Sequence, residues 1–123
     1  MKALVTGGAG FIGSHLCQRL LARDLEVVCV DSLVCGRLKN LDKFKKNQNF
    51  NFIQADIRDR EALLSAMKGV DWIFHLAGLA DIVPSIENPS LYFDMNVNGT
   101  LHVLECAREA GISRFLYAAS SSS

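Results

Sequence analysis

The chain opens on a short apolar run, Ala3-Leu4-Val5, then carries glycines at Gly7, Gly10 and Gly13 and apolar residues at Ile12, Leu16, Cys17, Leu20 and Leu21. The run reads as a strand, the glycines as a tight turn, and the three-and-four spacing as a helix. A nearly continuous apolar stretch from Leu25 to Val30 follows and ends at Asp31. Runs without alternation suit strands buried on both faces, as in a parallel sheet. From Gly36 to Asn51 the chain turns polar and basic, with Leu38, Leu41 and Phe44 interleaved. This predicts the solvated face of a short helix, with a phosphate-seeking patch as the other reading. Phe50 to Ala55 alternates and predicts a third strand, and a helix starting near Asp59 runs through Leu63, Leu64 and Met67 to Gly69. Val70 to Gly78 is a fourth strand, Asn88-Pro89 opens a long helix that Gly111 closes, and Arg114 to Ala119 is a fifth strand running into four serines.

Five strands alternating with helical segments predict an α/β fold, a Rossmann-type doubly wound parallel sheet of order 3-2-1-4-5 that stops after strand five. With 123 residues, half of them apolar, the chain suffices for one domain over residues 1–123 and not for two. Lysine plus arginine equals aspartate plus glutamate at thirteen each, so no basic field invites nucleic acid or an anionic membrane. Glycines break the apolar start and no cleavage site follows, so neither a signal peptide nor a membrane span is expected, and the location is cytoplasmic. Cys17, Cys29, Cys35 and Cys106 form no Cys-x-x-Cys pair and sit mostly in apolar runs, which predicts reduced core thiols without zinc.

The candidate chemistry lies at the carboxyl ends of the predicted strands. Glycine lets the backbone turn at Gly7, approach a pyrophosphate at Gly10, and bring helix and strand together at Gly13. The N–H groups of the first helical turn, which Phe11 and Ile12 open, then face an anion. Asp31 lies eighteen residues past Gly13, where a ribose 2′-hydroxyl needs an acceptor. A carboxylate there repels a 2′-phosphate and favours NAD over NADP, although Arg37 stands near enough in sequence to serve a phosphate. Asp56 either bonds an adenine amino group, with Ile57 packing on the ring, or caps the next helix. Leu76, Ala77 and Gly78 end the fourth strand in small residues that admit a cofactor or sugar to the backbone. His75 sits inside an apolar run and reads as a satisfied core histidine, and His15 and His102 lack metal-ligand partners. Asn96, Asn98 and Gly99 are poor helix formers clustered within a predicted helix, a conflict expected where function or tight packing overrides propensity. Gly99 reads as a close helix-to-sheet contact and Asn96 as a hydrogen bonder at the nicotinamide end. The terminal serines read as a flexible tail or as lining of the ligand crevice.

Taken together, Thr6-Gly7-Gly8-Ala9-Gly10-Phe11-Ile12-Gly13 resembles the TGxxGxxG fingerprint of the extended short-chain dehydrogenase/reductases. Asp31-Ser32-Leu33 with Gly36 and Asn40-Leu41 resembles that family's ribose loop, and Asp56-Ile57 its adenine contact. His75-Leu76-Ala77-Gly78 resembles its fourth-strand motif, Asn96-Val97-Asn98-Gly99-Thr100 its NVxGT helix, and Tyr117-Ala118-Ala119-Ser120-Ser121-Ser122 the fifth-strand motif with the catalytic hydroxyl. Within the family the likeness is greatest to NAD-dependent nucleotide-sugar 4-epimerases of the UDP-hexose type.

The resemblance implies NAD as cofactor, a UDP-hexose type substrate, a homodimer, Ser120 as the catalytic hydroxyl, and Ser121 and Ser122 beside it against the sugar. The 4,6-dehydratases carry Asp-Glu where Ser121-Ser122 stand, since eliminating water needs an acid and a base there. A 4-epimerase, which oxidises and re-reduces the sugar C4 position, is therefore expected. A dehydratase or reductase of the same family, and a non-catalytic NAD-binding sensor or scaffold, are the alternatives. The expected base is a tyrosine followed by lysine four residues on, and neither Tyr92 nor Tyr117 has that lysine. The chain is thus expected to be the NAD-binding part of such an enzyme, without its sugar-binding C-terminal region and inactive alone.

Overall fold

The computed structural model describes residues 1–78, 86–112 and 114–118. Five parallel strands, β1 (Lys2–Thr6), β2 (Glu26–Asp31), β3 (Phe50–Gln54), β4 (Trp72–His75) and β5 (Arg114–Tyr117), form one sheet in the order β3-β2-β1-β4-β5. The expected fold and strand order are both present. In register, Lys2 stands opposite Glu26 and Thr6 opposite Val30, while Thr6 on its other side pairs with His75. These pairings bring the carboxyl ends of β1, β2 and β4 to one rim of the sheet.

Successive residues of a strand point to opposite faces, so each buried strand feeds two cores. Leu4, Val28, Val30 and Ile73 pack with Leu63 and Met67 of α2 (Arg60–Ala66 and its cap) and with Val103, Cys106 and Ala107 of α4 (Gly99–Glu109). Ala3, Val5, Val27 and Cys29 pack on the other face with Cys17, Leu20 and Leu21 of α1 (Phe11–Ala22) and with Leu41 and Phe44. Burial on both faces explains why β1 and β2 read as unbroken apolar runs.

The basic stretch after β2 contains one short 3-10 helix, Leu38–Leu41, with Leu41 buried and Leu38 exposed. Asp59 caps α2, its carboxylate accepting from the Ala62 N–H at 3.2 Å. The capping role weighed for Asp56 therefore belongs to Asp59. The long helix opens as expected on Asn88, which accepts from the Leu91 N–H, with Pro89 next. It is not uniform, however. α3 (Pro89–Phe93) widens into a π turn over Asp94–Asn98 before α4 resumes. The π turn contains Asn96 and Asn98 and ends at Gly99, the cluster whose composition conflicts with regular helix.

Candidate functional site

At the carboxyl rim, Gly7 turns the chain out of β1 with φ of 72°, donating its N–H to Val30 O of β2 at 2.8 Å. A Cβ at Gly7 would fall 2.8 Å from the Ala77 nitrogen, so the backbone just after β4 leaves no room for a side chain. Gly10 is the N-cap of α1 and no side chain caps it, so the first-turn N–H groups keep the unpaired donors that helix geometry leaves there. At Gly13 a Cβ would collide with Gly7 O and lie 2.8 Å from Gly8 Cα, so the helix sits against the backbone of the turn itself.

Asp31 closes the second side. Its carboxylate is buried, with Oδ2 accepting from the Ala9 N–H at 2.9 Å and Oδ1 from the Leu33 N–H at 2.8 Å. One carboxylate thus ties the glycine turn to the loop after β2. Each oxygen of a carboxylate has two acceptor positions, so both retain one for a ligand hydroxyl. Gly36 fits tightly beside it, since a Cβ there would stand 2.6 Å from Asp31 Oδ2.

Beneath the rim runs a buried chain of hydrogen bonds that locates its own protons. The Leu76 and Ala77 N–H groups donate to Thr6 Oγ1, and Thr100 Oγ1 donates to Asn96 O at 2.7 Å. His75 Nδ1 is 2.6 Å from Thr6 Oγ1 and Nε2 is 2.9 Å from Thr100 Oγ1. Because Thr100 has given its hydrogen to Asn96, His75 Nε2 donates to Thr100, and Nδ1 accepts from Thr6. The ring is neutral, and burial pushes its pKa down from 6.5 to about 4. His75 is the satisfied core histidine that its sequence context predicts. His15 and His102 are likewise engaged with backbone carbonyls, of Phe11 and Ile57.

Nine of the candidate residues, Gly7, Gly10, Asp31, Ser32, Gly36, Ile57, Leu76, Ala77 and Gly78, line one cleft along this rim. Gly13 lies behind it. The Phe11 and Ile12 side chains are exposed outside it, so only their backbone faces the turn. Asn96 borders it, with its Oδ1 where a Cβ on Gly78 would come within 3.1 Å. Gly99 has the close contact expected of it, against the Ile57 side chain rather than a strand. Asp56 sits between the lining residues Ala55 and Ile57, and its carboxylate is held by Arg58. Arg37 is exposed and absent from the lining; its backbone N–H bonds Ala9 O instead. Val34, Cys35 and Met95 line the cleft without having been singled out. Val34 and Cys35 lie between Ser32 and Gly36, and Met95 immediately precedes Asn96, so sequence proximity was the available signal. Ser120, Ser121 and Ser122 lie outside the described residues.

Residues 3–123 match the NAD dependent epimerase/dehydratase family. The chain belongs to that family. A UDP-glucose 4-epimerase of Klebsiella pneumoniae is 36% identical over 98% of this chain and 89% of its own length. Four further curated relatives are spanned over only 34–40% of their length. Among solved structures, the UDP-glucose 4-epimerase of Stenotrophomonas maltophila, with bound NAD and a formylated UDP-arabinopyranose, superposes with a TM-score of 0.92 at 35% identity. That match covers 99% of this chain and 38% of the other. A dTDP-glucose 4,6-dehydratase of Streptomyces venezuelae, solved with NAD, gives 0.89 at 40% identity over 94% and 38%. The epimerase/dehydratase family is NAD-dependent, and the residues here fit a dinucleotide on three counts. The α1 N-terminus has no side-chain cap, Gly7 and Gly13 hold turn and helix together without side chains, and the buried Asp31 carboxylate keeps acceptor positions free.

Proposed function

We propose that this chain is the NAD-binding portion of a nucleotide-sugar 4-epimerase acting on a UDP-hexose. The observation that carries the cofactor part is the pairing, at one rim, of an uncapped helix N-terminus with a buried carboxylate twenty-one residues beyond Gly10. The first suits a pyrophosphate and the second a ribose diol. A 2′-phosphate would meet the Asp31 charge with no cleft-lining cation among the described residues, Arg37 being exposed and outside the lining. NAD is therefore the dinucleotide expected over NADP.

Bound NAD supplies the acceptor and donor of the hydrogen that leaves and returns to the sugar C4 carbon. In this reading Gly7, Gly10, Phe11, Ile12 and Gly13 hold the pyrophosphate through backbone. Asp31, Ser32 and Gly36 hold the adenosine ribose, Asp56 and Ile57 the adenine, and Leu76, Ala77, Gly78 and Asn96 the nicotinamide end. Ser120 holds the sugar O4 in line for proton transfer, with Ser121 and Ser122 against the substrate. Serines at those two positions favour epimerisation over dehydration, because a hydroxyl is a poor acid or base near neutral pH. The 123 residues bind NAD without turning substrate over, because no tyrosine here precedes a lysine by four. A homodimer belongs to the same reading, supported by the exposed apolar residues Phe93, Val97, Leu101 and Leu104 along α3, the π turn and α4.

Calorimetric titration is expected to show NAD binding about tenfold or more tighter than NADP, with Asp31→Ala removing the difference. Tighter binding of NADP would overturn the cofactor assignment. In the intact enzyme, UDP-glucose and UDP-galactose should interconvert and Ser120→Ala should slow this at least a hundredfold. Formation of a 4-keto-6-deoxy sugar would instead establish a dehydratase.

A further inference from the structure

Asp56 does not stand free at the end of β3. Arg58 donates from Nε to Asp56 Oδ1 at 3.0 Å and from Nη2 to Oδ2 at 2.7 Å, while its own N–H donates to Oδ1 at 2.8 Å. The remaining arm, Nη1, reaches Asp94 Oδ2 of the π turn at 2.7 Å. Each of the three guanidinium nitrogens of Arg58 therefore donates to a carboxylate, and each carboxylate adjoins in sequence residues that line the cleft. Asp56 is flanked by Ala55 and Ile57, and Asp94 precedes Met95. The loop after β3 is tied to the helical wall twice more, by Ile57 against Gly99 and by the bond between His102 Nδ1 and Ile57 O at 2.7 Å.

On the reading that this cleft takes NAD, we infer that Arg58 is a positioning residue for the adenine end of the dinucleotide. It fixes the Asp56 carboxylate as an oriented, ionised acceptor for the exocyclic amino group and pins the loop after β3 to the π turn. A bidentate guanidinium sets the plane of the carboxylate it grips, which a lysine ammonium, as a point charge, does not. The grip leaves one Asp56 oxygen short of saturation: Oδ1 accepts two N–H groups from Arg58 and Oδ2 only one, so Oδ2 retains an acceptor position. The guanidinium also holds the Asp56 and Asp94 carboxyls below their ordinary range, so both stay charged at neutral pH. With side chains of Arg58 and Asp56 two-fifths and one-third exposed, the pair adds little to folding, and orientation is what it contributes.

The amino group is what distinguishes adenine from hypoxanthine, which presents a carbonyl oxygen at the same position. The test is therefore a ratio of affinities, measured by calorimetry for NAD and for nicotinamide hypoxanthine dinucleotide on the full chain. The unsubstituted protein should prefer NAD by about tenfold, the value of one hydrogen bond to a charged group. Arg58→Met keeps the apolar stem and should bring the ratio near one with an unchanged melting temperature, whereas Arg58→Lys should restore part of it. Asp56→Asn should abolish the preference as Arg58→Met does. A full preference for NAD in Arg58→Met would overturn the inference, as would a preference indifferent to Asp56→Asn. Failure of the unsubstituted chain to bind NAD would overturn the cofactor reading itself, and with it this inference.

Discussion

The His75 imidazole carries one proton, and its two threonine neighbours decide where. Thr100 spends its hydrogen on Asn96 O, which leaves Nε2 the donor and Nδ1 the acceptor. A second proton on the ring would face the Thr6 hydroxyl, which already accepts from Leu76 and Ala77 and would have no hydrogen-bonding role left toward a donor. The folded pKa of about 4 against 6.5 for the free side chain follows from burial. Between those values the unfolded chain binds a proton that the folded chain excludes, so stability falls as pH is lowered from 6.5 towards 4. At 1.36 kcal/mol per pH unit the loss from this group reaches about 3 kcal/mol by pH 4. Urea unfolding of the parent and of His75→Gln across this range should show the variant with the shallower pH dependence; equal slopes would remove His75 as the cause.

Helix α1 is placed by what its first turns do not carry. A methyl group at Gly13 would overlap the carbonyl oxygen of Gly7 and crowd Gly8 Cα, both of them backbone that cannot rotate away. Gly69 is a different case, with φ of 72° and nothing within 4 Å of an added Cβ. Gly69→Ala should cost about 1 kcal/mol, the strain of a left-handed residue, and leave NAD binding unchanged. Gly13→Ala should cost about 1–3 kcal/mol and abolish NAD binding, since α1 must lift off the turn whose N–H groups face the ligand. Thermal unfolding alongside NAD titration separates the two, and normal binding by Gly13→Ala would overturn the account of the turn. The π turn in the long helix works in the same geometric way, setting Asn96 beside Gly78 while Gly99 closes on Ile57.

At the scale of the whole molecule, the sheet has β3 and β5 as its outer strands among the described residues, and the outward side of the long helix carries a stripe of exposed apolar residues. Phe93, Val97, Leu101 and Leu104 are each at least 42% exposed and recur every third or fourth position. Such a stripe on a surface helix favours self-association. Leu101→Glu should leave the unfolding free energy within about 1 kcal/mol of the parent, because the side chain is already half exposed, while shifting sedimentation towards monomer. A parent that is itself monomeric at the same concentration would overturn the proposed homodimer.

The strands, the glycine turn, the Asn88 cap and the two-faced core were legible in the sequence because each rests on local pattern, and the strand order followed from the crossover rules for alternating strands and helices. Apolar runs, the spacing of Gly7, Gly10 and Gly13, and an Asn-Pro step have physical meanings that do not wait on distant residues. Asp31 was legible as the acidic end of β2, but its bonds to Ala9 and Leu33 were not, because they join segments that only the folded turn brings together. Three poor helix formers marked the position of the π turn without revealing its form, since widening a helix is decided by what packs against it. The grip of Arg58 on Asp56 was within reach of a two-residue spacing, whereas its other arm spans thirty-six residues to Asp94. Local propensity and periodicity chose the elements; the tertiary structure chose the partners of each charge and the tautomer of His75, because those depend on which side chains the sheet and helices carry to the same place.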